Sequence, residues 1–599
     1  MSDHLPPRDR FVGEIVGPRE APRVRDLFGG GAEPEPLATE PGGTEPPAPG
    51  AIAQLRRTSQ GARLEEVLAA PGSARDKLYR IAADHQLNPV FPPAVEAEVE
   101  AILAEPQIDD PSLTDLTEVP FVTIDGPGTR DLDQALHIAA AGDGYRVRYA
   151  LADPARFVRP GTALFDEALR RGASYYLPGL AIPMLPRPLS EGVTSLNERQ
   201  DRRALVFDMH VDRRGRCVET TLVRARVHSR AQLTFDGVQA FLDDPSSVSL
   251  PEGVGPSLLL LRDVGRKRLE DAERRDVVRY RRQETEAKLA SMAGLRFAVV
   301  GGMRSEVERY NEQLSLLCNV EGARFLKRGD RDDDEVQPIY RVHPRPDRRR
   351  FRELEELLDA LCQTHQLARD RWRWRRSEGQ SLADYLEGLP EDGALSGIAK
   401  AVHRQAVLVN VRSSYSEEPG IHFGVGAEVY ARFSAPMREI VGVFLHKEAL
   451  EKLTGEVVPA AADGPTDDEL RALVVERANQ SKLLQKQLTK AANGLVIDQL
   501  FSDDLKLAPA KRPERRGTVM GLTRSKAHVQ LDDPCIEVKV YARHQTETAG
   551  GPIGLSDDAI QWQRDDGTPF CRLGDEVRVL LRRRDDRSKR WELSLTPAR

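Results

Sequence analysis

The sequence predicts a multidomain α+β protein, and three observations carry that prediction. The chain has 599 residues, enough for several domains, and 40% of them are hydrophobic, enough for ordinary cores. From about 116 to 505, strand-like runs alternate with long helical patterns, with no low-complexity break. Beyond about Lys511 the texture changes to short strands separated by turns.

Charge and cysteine usage narrow the class. Charged residues make up 30% of the chain but are mixed in sign, and the net charge is -7. Broad attraction to nucleic acid is excluded, so any such binding must come from local patches. The five cysteines are scattered without a CxxC pair, which argues against a zinc ribbon or a disulfide framework. That usage predicts a reducing, cytoplasmic setting. No apolar run approaches the ~18–20 residues that span a membrane. The polar, proline-rich N-terminus is unlike a signal peptide.

In chain order, residues 1–50 are rich in Pro, Gly, Glu and Ala and read as a disordered tail or linker, with a short element allowed from Phe11 to Phe28. Residues 51–115 read as a helical module. Its three helices would start near Ala62, after a Ser73 cap, and at Pro93, which suggests a helical bundle or a helix-turn-helix. Residues 116–505 form the large mixed unit. Strands are expected at Tyr145 to Ala152, Arg203 to Val211 and Cys217 to Val227. Helices are expected at Tyr280 to Ala298, Arg352 to Gln366 and Ser481 to Phe501. The last helix has a basic face of Lys482, Lys486 and Lys490. Residues 511–599 suggest a small barrel. They carry 18 Lys and Arg against 14 Asp and Glu, with Trp562, Phe570 and Trp591 among the charges. Basic groups interleaved with aromatics suit single-stranded nucleic acid. The competing reading makes the aromatics barrel core and the arginines a solvated turn.

The stretch from Val122 to Ile138 organises the chain. A short apolar strand ends in Asp125, a Gly126-Pro-Gly turn follows, and Asp131 and Asp133 precede a second apolar run. Three carboxylates within nine residues repel one another unless a cation sits between them. Only oxygen ligands are on offer, so the cation would be hard, Mg²⁺ or Mn²⁺. A solvated acidic loop or a Ca²⁺ turn fits the same spacing.

Five blocks give this pattern a family. They are Thr123-Ile-Asp-Gly-Pro-Gly-Thr-Arg-Asp-Leu-Asp; Tyr149-Ala-Leu-Ala-Asp with Phe157-Val-Arg-Pro-Gly; Ser174-Tyr-Tyr-Leu-Pro-Gly-Leu-Ala-Ile-Pro-Met-Leu-Pro with Ser195-Leu-Asn; Tyr340-Arg-Val-His-Pro; and His422-Phe-Gly with Tyr430-Ala-Arg-Phe-Ser-Ala-Pro-Met-Arg. In this order they resemble the ribonuclease II family of processive 3′-to-5′ exoribonucleases. The resemblance covers about four-fifths of the chain. It implies an RNB-type catalytic domain over 116–505 and an S1-type OB-fold barrel over 511–599.

The resemblance also implies roles. Asp125, Asp131 and Asp133 match the family's acidic cluster. Gln134 stands where the family has a fourth carboxylate, and it offers a metal only a neutral carbonyl oxygen. Asp133 would support catalysis most directly. Arg438 matches the arginine on the scissile phosphate, and Tyr176 the tyrosine beside the 3′-terminal nucleotides. His343, His422 and Tyr430 read as structural or supporting. No glutamate aligns in Leu483 to Lys490 with the one that grips the nucleotide in relatives. The implied activity is Mg²⁺-dependent hydrolysis of single-stranded RNA from its 3′ end to nucleoside 5′-monophosphates, by a cytoplasmic monomer. An RNA-binding protein with an inactivated nuclease site is the alternative, motivated by Gln134. A metal-dependent endonuclease shares only the acidic cluster. Relatives carry two cold-shock barrels before the catalytic domain. None is recognisable in 1–115, and their loss would widen the entrance to structured RNA.

Overall fold

Arg10 to Val16 reads Arg-Phe-Val-Gly-Glu-Ile-Val, β-branched and aromatic residues that favour a half-buried strand. In the computed structural model, which describes residues 10–38, 45–278, 284–291, 293–302, 304–327, 336–455, 464–585, 587 and 589–597, this run is β1 (Arg10–Val16). It joins β2 (Arg23–Asp26), β3 (Glu35–Ala38), β4 (Ile52–Thr58) and β5 (Gly61–Ala69) in a closed barrel of order β1-β2-β3-β5-β4. Phe11, Ile15, Val24, Leu37 and Leu55 fill it.

This corrects two expectations. Over its described residues, the tail expected at 1–50 is three barrel strands; residues 1–9 and 39–44 lie outside the description. The helix expected from Ala62 is β5. Proline and glycine punctuate turns between short strands here, and the barrel closes through pairings of β1 with β4 and of β3 with β5 that local pattern does not show. Register shifts in the β4–β5 pairing blur the period-two pattern of β5, which made it read as helical. The helix-turn-helix is therefore absent, and a barrel does precede the large unit.

The other two helices of the module are present. Ser73 caps α1 (Ala74–Asp84) by accepting the Asp76 N–H at 3.1 Å. Pro93 opens α2 (Pro93–Ala104), where its missing N–H costs nothing.

The large unit is built on a second closed barrel. Its strands are β6 (Thr114–Asp125), β7 (Gln134–Ala141) and β8 (Gly144–Ala152), then, beyond α3 (Ala163–Arg171) and the hairpin β9 (Tyr175–Leu177) and β10 (Leu180–Ile182), β11 (Asp201–Val211) and β12 (Cys217–Thr234). The order is β11-β12-β6-β7-β8. β6 and β12 run parallel with Asp125 opposite Thr234, so Asp125 stands at the barrel's rim. The helices α4 (Phe235–Asp243) and α5 (Val254–Arg274) pack on this barrel. Residues expected as a helix from Tyr280 to Ala298 instead give the hairpin β13 (Glu284–Leu289) and β14 (Phe297–Gly302), which leans on a later helix; 279–283 and 292 lie outside the description.

Beyond α6 (Glu306–Leu326) and β15 (Tyr340–Val342), an insert holds α7 (Arg348–Thr364), α8 (Arg369–Trp372), α9 (Leu382–Glu387) and α10 (Ser396–Val409) around buried Trp372 and Trp374. Then come β16 (Ser414–Ser416), paired with β15, α11 (Ile440–Thr454) and α12 (Asp467–Leu505). Thr466 and Glu469 form a capping box at the start of α12. At 39 residues, α12 is about 58 Å long and touches α1, α3, α11, β9 and β16.

The last part holds β17 (Arg515–Leu522), β18 (Lys526–Leu531), β19 (Glu537–Tyr541), the short α13 (Thr546–Ala549), β20 (Ile553–Leu555), β21 (Gln561–Arg564), β22 (Pro569–Arg572), β23 (Glu576–Asp585) and β24 (Arg590–Pro597). The main sheet has the order β19-β18-β17-β23-β24, and its two edge strands lie against one another. β20, β21 and β22 form a second, three-stranded sheet, and Trp562 and Phe570 from it and Trp591 from the main sheet are all buried in one core. The core reading of these aromatics therefore holds, and they present no stacking platform to a base.

Candidate active site

Asp125 is the last residue of β6, and the chain turns at once. Its Oδ1 accepts the Gly126 N–H at 2.7 Å and the Thr129 hydroxyl at 3.3 Å, which ties the turn to the strand end. The acidic loop is then held from outside. Ser195 Oγ accepts the Leu132 N–H at 3.0 Å and donates to the Arg130 carbonyl at 2.7 Å. Leu132 is buried, so its neighbours Asp131 and Asp133 take opposite environments.

Asp131 is half-buried, and the Tyr176 hydroxyl donates to its Oδ2 at 3.3 Å. Asp133 is only 2% exposed and faces Ala435 to Arg438. Its Oδ1 accepts the Met437 N–H at 3.1 Å and its Oδ2 accepts Arg438 Nε at 2.6 Å. Burial pushes the Asp133 carboxyl up to about 6, although the Arg438 charge pulls the other way. The guanidinium of Arg438 is in turn held firmly charged by Asp133.

Tyr176 is 50% exposed, the posture of a ring that offers a face. Burial of its hydroxyl and then the Asp131 charge raise that group's pKa, so it stays protonated. The ring's strand is clasped by α12. The Tyr176 N–H donates to Gln485 Oε1 and the Gln485 amide donates to the Tyr176 carbonyl, both at 3.4 Å. The same segment is laced to the arginine turn. Ser174 N–H donates to the Arg438 carbonyl at 2.9 Å, and Ile440 N–H to the Gly172 carbonyl at 3.0 Å. Tyr176, Arg438, Asp131 and Asp133 thus share one site.

Gln134 opens β7 and takes a different part. Its amide donates to the Ser434 carbonyl at 2.9 Å, and its oxygen accepts the hydroxyl of buried Tyr149. Ser434 lies in a satisfied polar cluster. Asn319 Nδ2 donates to the Ser434 hydroxyl at 2.9 Å and to the Tyr430 hydroxyl at 3.0 Å, and Asn319 Oδ1 accepts the Ser434 N–H at 2.9 Å. Gln134 therefore braces the segment that carries Arg438.

A hard divalent cation needs several oxygen donors free to face it. Among the described residues, Glu448, Glu451 and Asp467 are the one trio with acidic ligand atoms within 4.8 Å of one another, and Lys447 Nζ sits there at 2.9 to 3.1 Å from each. Asp125, Asp131 and Asp133 are not gathered that closely. Asp125 Oδ2 and Asp131 Oδ1 accept no hydrogen bond from the described residues, whereas both oxygens of Asp133 do. The donor set is all oxygen and fits a hard cation on Asp125 and Asp131.

Sequence reasoning missed several neighbours. Glu439 accepts from Arg432 Nε at 3.2 Å and from the hydroxyl of buried Tyr415. Arg341 and Lys482 both lie over the Tyr415 ring, with cations 5.9 and 5.4 Å from its centroid. The basic face on the last helix was the signal for Lys482. Nothing local marks Tyr415, and the Ser195-Leu-Asn block gave Ser195 a place in the family pattern but no role. His343 and His422 contact each other edge to face, with ring centroids 5.2 Å apart.

Three comparisons bear on this geometry. The model of the RNB domain matches residues 113–448. Ribonuclease R of Escherichia coli is 30% identical over 404 residues, covering 65% of this chain and 47% of that protein. The chain spans about half the length of the curated relatives it matches first. Among solved structures, Mycoplasma genitalium RNase R in complex with ribose-methylated single-stranded RNA aligns with a TM-score of 0.76 at 19% identity, over 99% of this chain and 91% of that one. A yeast pseudonuclease aligns with a TM-score of 0.60 at 14% identity, over 98% of this chain and 69% of that one. At these identities the structural matches speak for the fold alone.

Proposed function

The chain belongs to the RNB-domain family, and on that premise we propose that it is a hydrolytic 3′-to-5′ exoribonuclease of the ribonuclease II type. One observation supports this reading most. The exposed ring of Tyr176, the charged Arg438 and the rim carboxylates Asp125 and Asp131 meet at one end of the second barrel. That is what cutting the last phosphodiester of a strand requires: a face for the terminal base, a cation for the phosphate and oxygen ligands beside them.

Arg438 holds the phosphate to be cut and offsets the charge that develops on it. Asp133, anchored through its other oxygen by the Met437 N–H, keeps that guanidinium aimed. Tyr176 stacks on the terminal base and so stops the chain end. A Mg²⁺ or Mn²⁺ ion held by Asp125 and Asp131 would supply an activated water and stabilise phosphoryl charge. Asp133 was expected beside them as a ligand, and so was Gln134. The geometry supports Asp133 as the partner of Arg438 and Gln134 as a brace. Release of nucleoside 5′-monophosphates, processivity on single-stranded RNA, a cytoplasmic setting and a monomeric state belong to the same proposal. One barrel rather than two precedes the large unit, so an entrance wide enough for structured RNA belongs to the same proposal.

Gln134 also favours a second reading, an RNA-binding protein without nuclease activity. One assay separates the two. A 5′-labelled poly(A) oligomer with Mg²⁺, and in parallel Mn²⁺, should shorten stepwise from its 3′ end. Asp133→Asn should slow that by about 10²–10³. Retention of the oligomer without shortening in either metal supports the second reading and sinks the first.

A further inference from the structure

The two carboxylates with open oxygens at the rim are fixed in unequal ways. Asp125 is held within its own turn, by the Gly126 N–H at 2.7 Å and the Thr129 hydroxyl at 3.3 Å. Asp131 has no such local support. Among the described residues its one hydrogen-bond donor is the Tyr176 hydroxyl, 45 positions along the chain. That hydroxyl reaches Oδ2 at 3.3 Å and leaves Oδ1 open.

The backbone under Tyr176 is fixed on three sides. Ser174 N–H donates to the Arg438 carbonyl at 2.9 Å, and Gln485 of α12 bonds both the N–H and the carbonyl of Tyr176 at 3.4 Å. The hairpin turn after it is closed against β13. Gly179 there has a φ of +69°, and a Cβ would meet Leu289 Cδ1 at 2.4 Å. The freedom that remains is in the ring, which is 50% exposed. A base stacked on the open face removes that freedom. The hydroxyl contact has room to shorten, since O–H···O bonds settle at roughly 2.5–3.0 Å. Hydrogen bonds that are long in an unliganded site tighten once the ligand is in place.

We infer that Tyr176 has a second role: its hydroxyl positions Asp131 as a metal ligand, so that a base on the ring and a divalent cation on Asp125 and Asp131 bind cooperatively. The ring meets the base, the hydroxyl meets the carboxylate, and one side chain joins the two events. A hydrogen bond to a ligating carboxylate fixes its orientation, and losing one typically costs about 10- to 100-fold in metal affinity. The link is reciprocal. Whatever the cation adds to the hold on the base, the base adds to the hold on the cation. An empty ring leaves Asp131 loosely aimed, so the cation is gripped most tightly when a strand end is in place. This inference rests on the exoribonuclease reading of the site.

The cation is tested alone first. Mn²⁺ is titrated into the wild-type chain, and free Mn²⁺ is followed by its paramagnetic resonance signal. Tyr176→Phe, which keeps the ring and removes the hydroxyl, should weaken binding about tenfold. The coupling is read next with a poly(A) oligomer whose last linkage is an uncharged methylphosphonate. That linkage resists cleavage and removes the direct attraction between cation and terminal phosphate. Fluorescence anisotropy in Mn²⁺ and in EDTA should show the metal tightening wild-type binding about fivefold. In Tyr176→Phe the ratio should fall toward one. The ratio is taken within each chain, so a change in stacking itself cancels. A Tyr176→Phe chain with wild-type Mn²⁺ affinity, or with an undiminished ratio, overturns the coupling and leaves the exoribonuclease reading standing. A wild-type chain that binds the oligomer but no Mn²⁺ overturns the coupling and the metal-dependent reading together.

Discussion

Asp133 and Arg438 are 305 residues apart in the chain and 2.6 Å apart in space. Between them they divide the work that one acidic cluster was expected to do. Asp125 and Asp131 keep oxygens open at the rim, while Asp133 spends both of its own on Arg438 and the Met437 amide. Gln134 follows the same logic. It needs an acceptor for the Tyr149 hydroxyl and a donor for the Ser434 carbonyl, and among side chains of this length a neutral amide supplies both. Gln134→Asp removes the donor and leaves the Ser434 carbonyl unpaired. It should cost roughly 1–3 kcal/mol in a thermal melt and lower turnover, even though it restores the family's fourth carboxylate. A Gln134→Asp chain that melts as wild type and binds Mn²⁺ more tightly would return Gln134 to the metal.

At the scale of elements, the site depends on close packing behind it. The helix α6 supplies Asn319, and one turn later Gly322 lies against Phe433, the residue before Ser434. A Cβ at Gly322 would meet the Phe433 ring at 2.4 Å. Gly322→Ala pits two effects against each other. Alanine gains roughly 1 kcal/mol in helix propensity. Overpacking a filled core costs about 1–3 kcal/mol. The clash is with a ring packed between Phe207 and His446, so the loss should win, by up to about 2 kcal/mol. Urea unfolding at constant m-value checks this, and a more stable variant would show that Phe433 has room to move.

For the whole molecule, acid is the revealing perturbation. His446 on α11 is fully buried, with Nε2 3.1 Å from the Phe433 carbonyl, and burial lowers its pKa to about 4. Its unfolded value is about 6.5, so the unfolded chain takes up the proton first as pH falls. The stability from a neutral His446 is therefore complete above about pH 6.5 and is lost as pH falls toward 4. One group with that shift contributes up to about 3 kcal/mol across the window. Melting temperature measured from pH 7.5 to 4.5 should fall, and His446→Gln should flatten the slope. An unchanged slope in that variant would assign the acid sensitivity elsewhere.

The blocks around Asp125, Tyr176 and Arg438 were legible in the sequence because each is a short contiguous run with unusual composition. α1, α2, α7 and the later part of α12 were legible for a related reason, since caps and apolar spacing act within one or two turns. The N-terminal barrel was not. Its strands are four to nine residues long and are stabilised by register with partners up to 46 residues away, as in Arg10 opposite Arg56. The hairpin β13–β14 was lost for the same reason, because pairing and a helix beneath it outweigh local pattern. The sequence by itself thus determined the family and the residue types at the site. Tertiary structure alone decided their roles: that Asp133 serves Arg438, that Gln134 braces Ser434, and that Arg341 and Lys482 share one ring. Charge pairing and hydrogen bonding act over a few ångströms of space, and only the fold sets which distant residues come that close.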